Sequence, residues 1–371
     1  MHAVVVGGGV IGLSVAWRAL ERGLDVTVVD PEPASQASHA SAGMLPPANE
    51  LLYKQQDLLR LYLASRARYP SFVAELEEVS GHSAGFRHDG LLDVAFDDES
   101  LAGLDSLRMF LASVGVSVDP LTAEECRREE PRLAPTVRGG LRAPQDGAVN
   151  PRDLMTALTA ALAARGGRLV RERAVEVLTG AHGVTGVRLD SGTPLAADRV
   201  VLAAGCWTHR LTGLPRGVVP EIRPVKGQIL RLRSPRPYLR RATRALADGW
   251  SVYLVPRHDG ELVVGATYEE RGYDTAVTVA GLSELLGKVD RVLPGAGDLH
   301  LAEAGVGLRP AAPDDLPVLG TTSVPGLILA TGHSRIGVQL TPVTADAISE
   351  LLLTGQLPKV AEPFTPARFA A

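Results

Sequence analysis

The chain opens on HAVVV, residues 2–6, an apolar run rich in β-branched residues and too short for a helix, which predicts a buried strand. Three glycines follow, and then LSVAWRALERG puts Leu13, Ala16, Trp17 and Leu20 on one helical face, with Gly23 as the stop. LDVTVVD is a second buried strand, ending in Asp30. PRDLMTALTAALAARGGRLVRERAVEVLTG reads as helix, Gly-Gly stop and strand, and GVTGVRLDSG as a hairpin-like pair. From Pro220 to Gly265 the pattern changes to alternating strands: IRPVKGQILRLR, SVYLVPRHDG and ELVVGATY, separated by turn residues. GFRHDGLLDVAF, from Gly85 to Phe96, adds strands to the same antiparallel sheet. Near the other end, GLILATGHSRIGVQLTPVTADAISELLL is strand, glycine turn and helix, with Val343, Ala347, Ile348, Leu351 and Leu352 on the apolar face.

At 371 residues the chain is longer than one core usually serves, so two domains are expected. A formal charge of -4 leaves no footprint for nucleic acid. RLRSPRPYLRRATR, Arg231 to Arg244, holds six arginines and reads as a solvated strand edge and loop. Two distant cysteines, Cys126 and Cys206, form no CxxC, so a reducing cytoplasm is expected and no metal site. No stretch is long and apolar enough for a membrane span, and the start lacks the cationic region of a signal peptide.

The first strand–turn–helix carries Gly7-x-Gly9-x-x-Gly12, and an acid, Asp30, stands 18 residues beyond the last glycine. The glycines permit a tight turn and close approach of backbone to a pyrophosphate, which then faces the helix N-terminus. Asp30 would accept hydrogen bonds from a ribose diol. The motif predicts a dinucleotide and does not say which one.

After Asp30 comes PEPASQASHASAGMLPPANE, a small-residue loop where the next helix of a simple dehydrogenase would stand. The glycine motif with its acid, followed by ASAGML, resembles the glycine oxidase and D-amino acid oxidase family of FAD enzymes. Later segments agree in order: DRVVLAAGCW, YLVPRHDGELVVGAT, GLRPAAPDDLPVLG and ATGHSRIG. The resemblance spans nearly the whole chain. It implies non-covalent FAD, with Gly7, Gly9, Val10, Ile11, Gly12 and Asp30 at the nucleotide. Ser38, Ala42, Gly43 and Met44 would lie along the flavin loop. Val175 matches a position on the adenine side, and Gly205 ends a strand packed beside the cofactor. Gly332, His333, Arg335, Ile336, Gly337, Val338 and Gln339 would close the site. His333 is expected to shape the loop rather than act as a base, and Cys206 to be a small core thiol.

The resemblance also assigns the substrate end. Arg309 matches the carboxylate-binding arginine, Tyr253 the tyrosine whose hydroxyl aids it, and Arg335 a residue at the flavin–substrate boundary. A planar guanidinium can hold both carboxylate oxygens with parallel bonds. Read as residues alone, Arg309 could instead pair with Asp314 or Asp315, and Arg335 with Glu303. The stretch around Arg309 shows neither helical nor strand periodicity, and its Gly and Pro residues would fix the backbone that aims the arginine. The implied chemistry needs no protein acid or base. A neutral substrate amine loses its α-hydrogen as hydride to the flavin, the imine hydrolyses to an oxo acid and ammonia, and O2 reoxidises the flavin to give hydrogen peroxide. Glycine oxidase is the leading expectation, with dehydroglycine supplied for the thiazole of thiamine. A D-amino acid oxidase of broader specificity and a quinone-linked D-amino acid dehydrogenase are the alternatives. Ser251 and Tyr268, flanking the tyrosine strand, set the side-chain room. The expected fold is α/β: a Rossmann-like FAD-binding domain from residues 1–80, 145–215 and 306–371, and a mostly antiparallel substrate domain from 81–144 and 216–305. The family implies a homo-oligomer, a tetramer among the possibilities.

Overall fold

A computed structural model describes residues 1–46 and 55–369 of the chain. The end of the small-residue loop, residues 47–50, lies outside the described residues.

The expected first strand forms at His2–Val6 and the helix at Val10–Glu21, with Gly23 in left-handed conformation just past its end. His2–Val6 lies inside a six-stranded sheet, in the order Val318–Thr321, Leu327–Thr331, Arg199–Leu202, His2–Val6, Asp25–Val29 and Arg168–Val170. Every pairing is parallel except that of Val318–Thr321 with Leu327–Thr331. Strand alternation decides what each face buries. Ala3, Val5, Val26 and Val28 pack against the helices Val10–Glu21, Gln56–Ser80, Pro151–Ala164 and Thr341–Thr354. Val4, Val6, Val29, Val200 and Leu202 face the other way, onto a three-stranded antiparallel sheet of Ala174–Gly180, Gly183–Leu189 and Pro194–Ala196. A parallel sheet covered on both faces explains why its strands read as continuous apolar runs. Trp17 is fully buried in the helical layer, edge-on to Phe72 at 5.1 Å.

The second sheet has eight strands, ordered His300–Ala311, Arg223–Arg233, Glu261–Gly265, Trp250–Pro256, Ala242–Ala247, Leu91–Ala95, Gly139–Ala143 and Asp119–Thr122. It is antiparallel apart from the pairing of Ala242–Ala247 with Leu91–Ala95. Leu230, Leu232, Leu254 and Val264 point to one face and pack on helix Val279–Val292 through Leu285 and Val289. Ile229, Val255 and Val263 point to the opposite face, toward Ala42 and the small-residue loop.

Three expectations change. Arg309 lies within the strand His300–Ala311, which runs past residue 306 and stays in the antiparallel sheet. Gly305, Gly307 and Pro310 erase its alternation in the sequence, and pairing along Arg223–Arg233 supplies the strand instead. The arginine-rich stretch is not a solvated edge throughout: Arg231 is 1% exposed, and Arg244 is largely buried against Asp93. Arg231 belongs to the strand Arg223–Arg233 and Arg244 to Ala242–Ala247, both flanked by strands on either side, and alternation turns these two side chains inward.

Candidate active site

Between the two sheets lies a cleft of about 1090 Å³ that takes side chains from both. At one end it is lined by Gly7, Gly9, Val10, Ile11, Asp30 and Ser38, and beyond them by Val175 and Gly205. The helix begun at Val10 has Gly9 as N-cap with no side-chain cap of its own, and Ser38 Oγ accepts the Val10 amide at 3.0 Å. An uncapped helix N-terminus facing a cleft is a ready anion site. A Cβ on Gly7 would sit 2.6 Å from the Ala203 carbonyl carbon, so this turn admits only glycine. Asp30 is aimed by backbone: its two oxygens accept from Gly8 N at 2.6 Å and Glu32 N at 2.8 Å.

The middle of the cleft is walled by the small-residue loop, with Ala37, Ser38, Ala40, Ser41 and Met44, and by Arg335 to Gln339. The loop is held from behind by two buried guanidiniums of the antiparallel sheet. Arg231 donates to the His39 carbonyl at 3.1 Å and to Glu261 at 2.7 Å. Arg257 donates to the Ala42 and Val149 carbonyls at 2.6 and 3.1 Å. Burial pushes Arg257 down to about 10 and also lowers Arg231. The facing segment is tied down by helix Gln56–Ser80: Ser65 Oγ donates to the Gln339 carbonyl at 2.7 Å and the Tyr69 hydroxyl to that of Val338 at 3.1 Å. Gln339 Nε2 closes the ring by donating to the Met44 carbonyl at 3.1 Å.

Four expected cofactor positions do not line the cleft. Gly12 packs under the turn, where a Cβ would stand 3.0 Å from the Gly7 carbonyl carbon. Gly43 presses on Pro151, Ala42 is buried and gives its carbonyl to Arg257, and Gly332 packs on Val318 and Ala312. Each supports the wall from behind. His333 does line the cleft, but its ring is buried, Nε2 meets Thr344 Oγ1 at 3.0 Å, and burial holds it down to about 3. A neutral, packed imidazole shapes the turn and has no free nitrogen function as a base near neutral pH. Cys206 is fully buried, with its thiol pushed up to about 12.

Arg309, Tyr253 and Tyr268 come together at the other end of the cleft, with Ser251 and Leu246 beside them, while Arg335 lines the cleft in the segment before Gln339. Arg309 Nη1 donates to the carbonyls of Lys226 and Thr267 at 3.3 and 3.2 Å, and its guanidinium lies 6.0 Å from the Tyr268 ring centroid. No carboxylate pairs with it among the described residues. Asp314 is taken by Arg368 and Asp315 by Arg223, each at 2.7–2.8 Å, so neither holds Arg309. Glu303 bonds Arg152 at 2.7 Å rather than Arg335. Burial raises the Tyr253 hydroxyl above its ordinary value, offset in part by the adjacent Arg309, so it stays protonated and can donate.

The sequence reading missed several lining residues. Trp207 and Arg210 stand beyond Gly205, where Arg210 covers the Tyr273 ring at 3.7 Å. Arg244 also reaches the cleft, its fork held by Asp93 at 2.6 and 3.0 Å. No local signal marked these three. Gly227 and Gly265 also line the cleft, and they did carry a signal: glycine inside a strand marks close approach of another group.

A glycine turn at a helix N-terminus with an acid at the end of the next strand, opening into a cleft whose arginine meets no carboxylate among the described residues, is the arrangement of a flavin-dependent oxidoreductase. The chain belongs to the FAD-dependent oxidoreductase family, whose pattern matches residues 2–351. It is 37% identical over 99% of its length to the bifunctional protein ThiO/ThiG of Synechocystis, of which it covers 54%. The chain thus spans about half the length of the curated relatives it matches first. The glycine oxidase of Geobacillus kaustophilus is 34% identical over 94% of this chain and 92% of its own. The crystal structure of glycine oxidase from that organism superposes with a TM-score of 0.91 at 31% identity, over 99% of this chain and 98% of that one. Among the described residues no helix is long and apolar enough to cross a membrane, and no group of side chains is placed to hold a metal ion.

Proposed function

We propose that the chain oxidatively deaminates glycine and other small amines or D-amino acids, giving glyoxylate from glycine, with ammonia and hydrogen peroxide. The observation that carries this is Arg309: a cation in the cofactor cleft, beside a protonated tyrosine, with no carboxylate partner among the described residues. Such a cation is stable only where water or a ligand anion completes it. A substrate carboxylate would accept from Arg309 Nη2 and from the Tyr253 hydroxyl, because the Nη1 hydrogens already go to main-chain carbonyls.

Bound FAD supplies the two-electron acceptor for the hydride from the substrate Cα. The residues of this chain do the rest by position. Arg309 and Tyr253 fix the carboxylate, which orients Cα, and a pre-set orientation removes much of the entropic barrier. Arg335 borders the cleft where cofactor and substrate would meet. The proposed chemistry asks no side chain to carry the proton, because the substrate enters as the neutral amine.

Residues 1–80, 145–215 and 306–371 are proposed as the cofactor domain, with Arg309 reaching the site from the shared strand. The proposal extends to cytoplasmic residence, a homo-oligomeric state and supply of dehydroglycine for thiazole formation. Ser251 and Leu246, both lining the cleft near Tyr253, support a second reading in which a larger D-amino acid is the better substrate.

The test is anaerobic addition of glycine, sarcosine and D-alanine to the purified flavoprotein. Bleaching of the flavin band, followed by peroxide release on admitting air, is expected. Failure of all three to bleach it rejects amine oxidation. Bleaching with dye reduction but no peroxide identifies a dehydrogenase.

A further inference from the structure

We propose that Gly227 and Gly265 are positioning residues for the substrate anion: they are notches in the sheet into which the Arg309 guanidinium and the Tyr253 phenol settle. The inference rests on the carboxylate-binding reading of Arg309 and names what sets the depth of that site.

Gly227 sits in the interior of strand Arg223–Arg233 and Gly265 is the last residue of strand Glu261–Gly265, and both line the cleft. Arg309 pairs with Val225 across the ladder, and its side chain leans two residues along to lie over Gly227. Tyr253 pairs directly with Gly265, and its ring lies over that residue. A Cβ on Gly227 would stand 2.6 Å from Arg309 Cζ and closer still to both terminal nitrogens. A Cβ on Gly265 would stand 2.5 Å from Tyr253 Cε2 and closer to Cζ and the hydroxyl oxygen. Neither glycine has a left-handed backbone.

What an added methyl would meet is decisive. In both cases the nearest atoms are the far end of a side chain, and no backbone atom is among them. The guanidinium tip of Arg309 moves aside at small cost and Gly227, inside its strand, weakens it, whereas the Tyr253 ring must turn as a rigid unit to clear a methyl at 265. Alanine would therefore leave the fold intact or stabilise it, while lifting the two groups out of register with the carboxylate. Retaining glycine where alanine would suit the strand is the signature of a site bought at the expense of stability. The neighbouring Gly305 differs: a Cβ there meets nothing of the anion site, its nearest contact being Glu303 at 3.3 Å.

The experiment compares the holoenzyme with Gly227→Ala, Gly265→Ala and, as control, Gly305→Ala. Glycolate affinity is read from the change in flavin absorption, glycine turnover gives KM and kcat, and urea gives the unfolding midpoint. The first two variants are expected to retain FAD and unfold at or above the parent midpoint. Their glycolate Kd and glycine KM should rise about tenfold or more, the loss of one charge-assisted contact, with a smaller change in kcat. Gly305→Ala should match the parent. In the double variant Gly227→Ala/Arg309→Ala the displaced group is gone, so alanine at 227 should add nothing to the loss from Arg309→Ala. Unchanged glycolate affinity in both single variants overturns the proposal. So does a double variant that fails to fold, which would make Gly227 a backbone requirement. If the parent itself neither binds glycolate nor is bleached by glycine, the amine-oxidation reading fails instead.

Discussion

Arg309 can serve a ligand because no carboxylate among the described residues pairs with it. Its hydrogen bonds go to two main-chain carbonyls, which orient the fork without neutralising it. Arg309→Ala should therefore retain FAD and fold normally, yet raise the glycine KM by about 10- to 100-fold, the worth of a paired charge-assisted contact. Flavin absorbance and steady-state kinetics measure both arms. Tyr253→Phe removes only the hydroxyl and should cost about tenfold at most in KM. The arginine and tyrosine were legible in the sequence because their motifs stand in family order. Their environment was not. That Asp314 and Asp315 turn away to Arg368 and Arg223 depends on elements far apart in the chain, which no local pattern reports.

At the scale of elements, the loop from Ala37 to Met44 has almost no apolar side chains to hold it, and two guanidiniums of the other sheet do so through its carbonyls. Arg257→Met would leave the Ala42 and Val149 carbonyls unpaired, at about 1–3 kcal/mol each, partly offset by removing a buried charge. We expect a lowered urea midpoint and faster FAD loss on dialysis. Sequence periodicity located the helices Val10–Glu21, Pro151–Ala164 and Thr341–Thr354 and the strands His2–Val6, Asp25–Val29 and Leu327–Thr331, because burial on one or two faces is written into their spacing; it did not mark the helix Gln56–Ser80 or the strands His300–Ala311, Gly139–Ala143 and Asp119–Thr122. It could not order the eight-stranded sheet, and it took Arg231 for a surface residue. An arginine facing inward looks like any other in the chain until its carboxylate and carbonyl partners are placed. Gly12, Gly43 and Gly332 were read as cofactor contacts, although close backbone packing alone accounts for them.

The whole molecule carries a pH dependence from His333. Its folded value lies below the ordinary imidazole value because burial disfavours the charged ring. A group depressed in the folded state contributes its stability fully above the unfolded value of about 6.5, and that contribution is lost as pH falls toward the folded one. Comparing the parent with His333→Gln in urea at pH 7, 6 and 5 isolates the effect. The parent should lose about 1.4 kcal/mol per pH unit relative to the variant below pH 6.5. Parallel curves would show that the ring does not remain neutral in the fold.

The six-stranded sheet also constrains how the protein comes into being. Its central strand, His2–Val6, is synthesised more than three hundred residues before Leu327–Thr331, two strands away in the sheet. Until then Arg199–Leu202 presents an open edge, the kind of exposed ladder that recruits chaperones or wrong partners. The cleft is thus assembled only after Leu327–Thr331 and the turn that follows it have been made, and until then the nascent protein passes through a vulnerable interval.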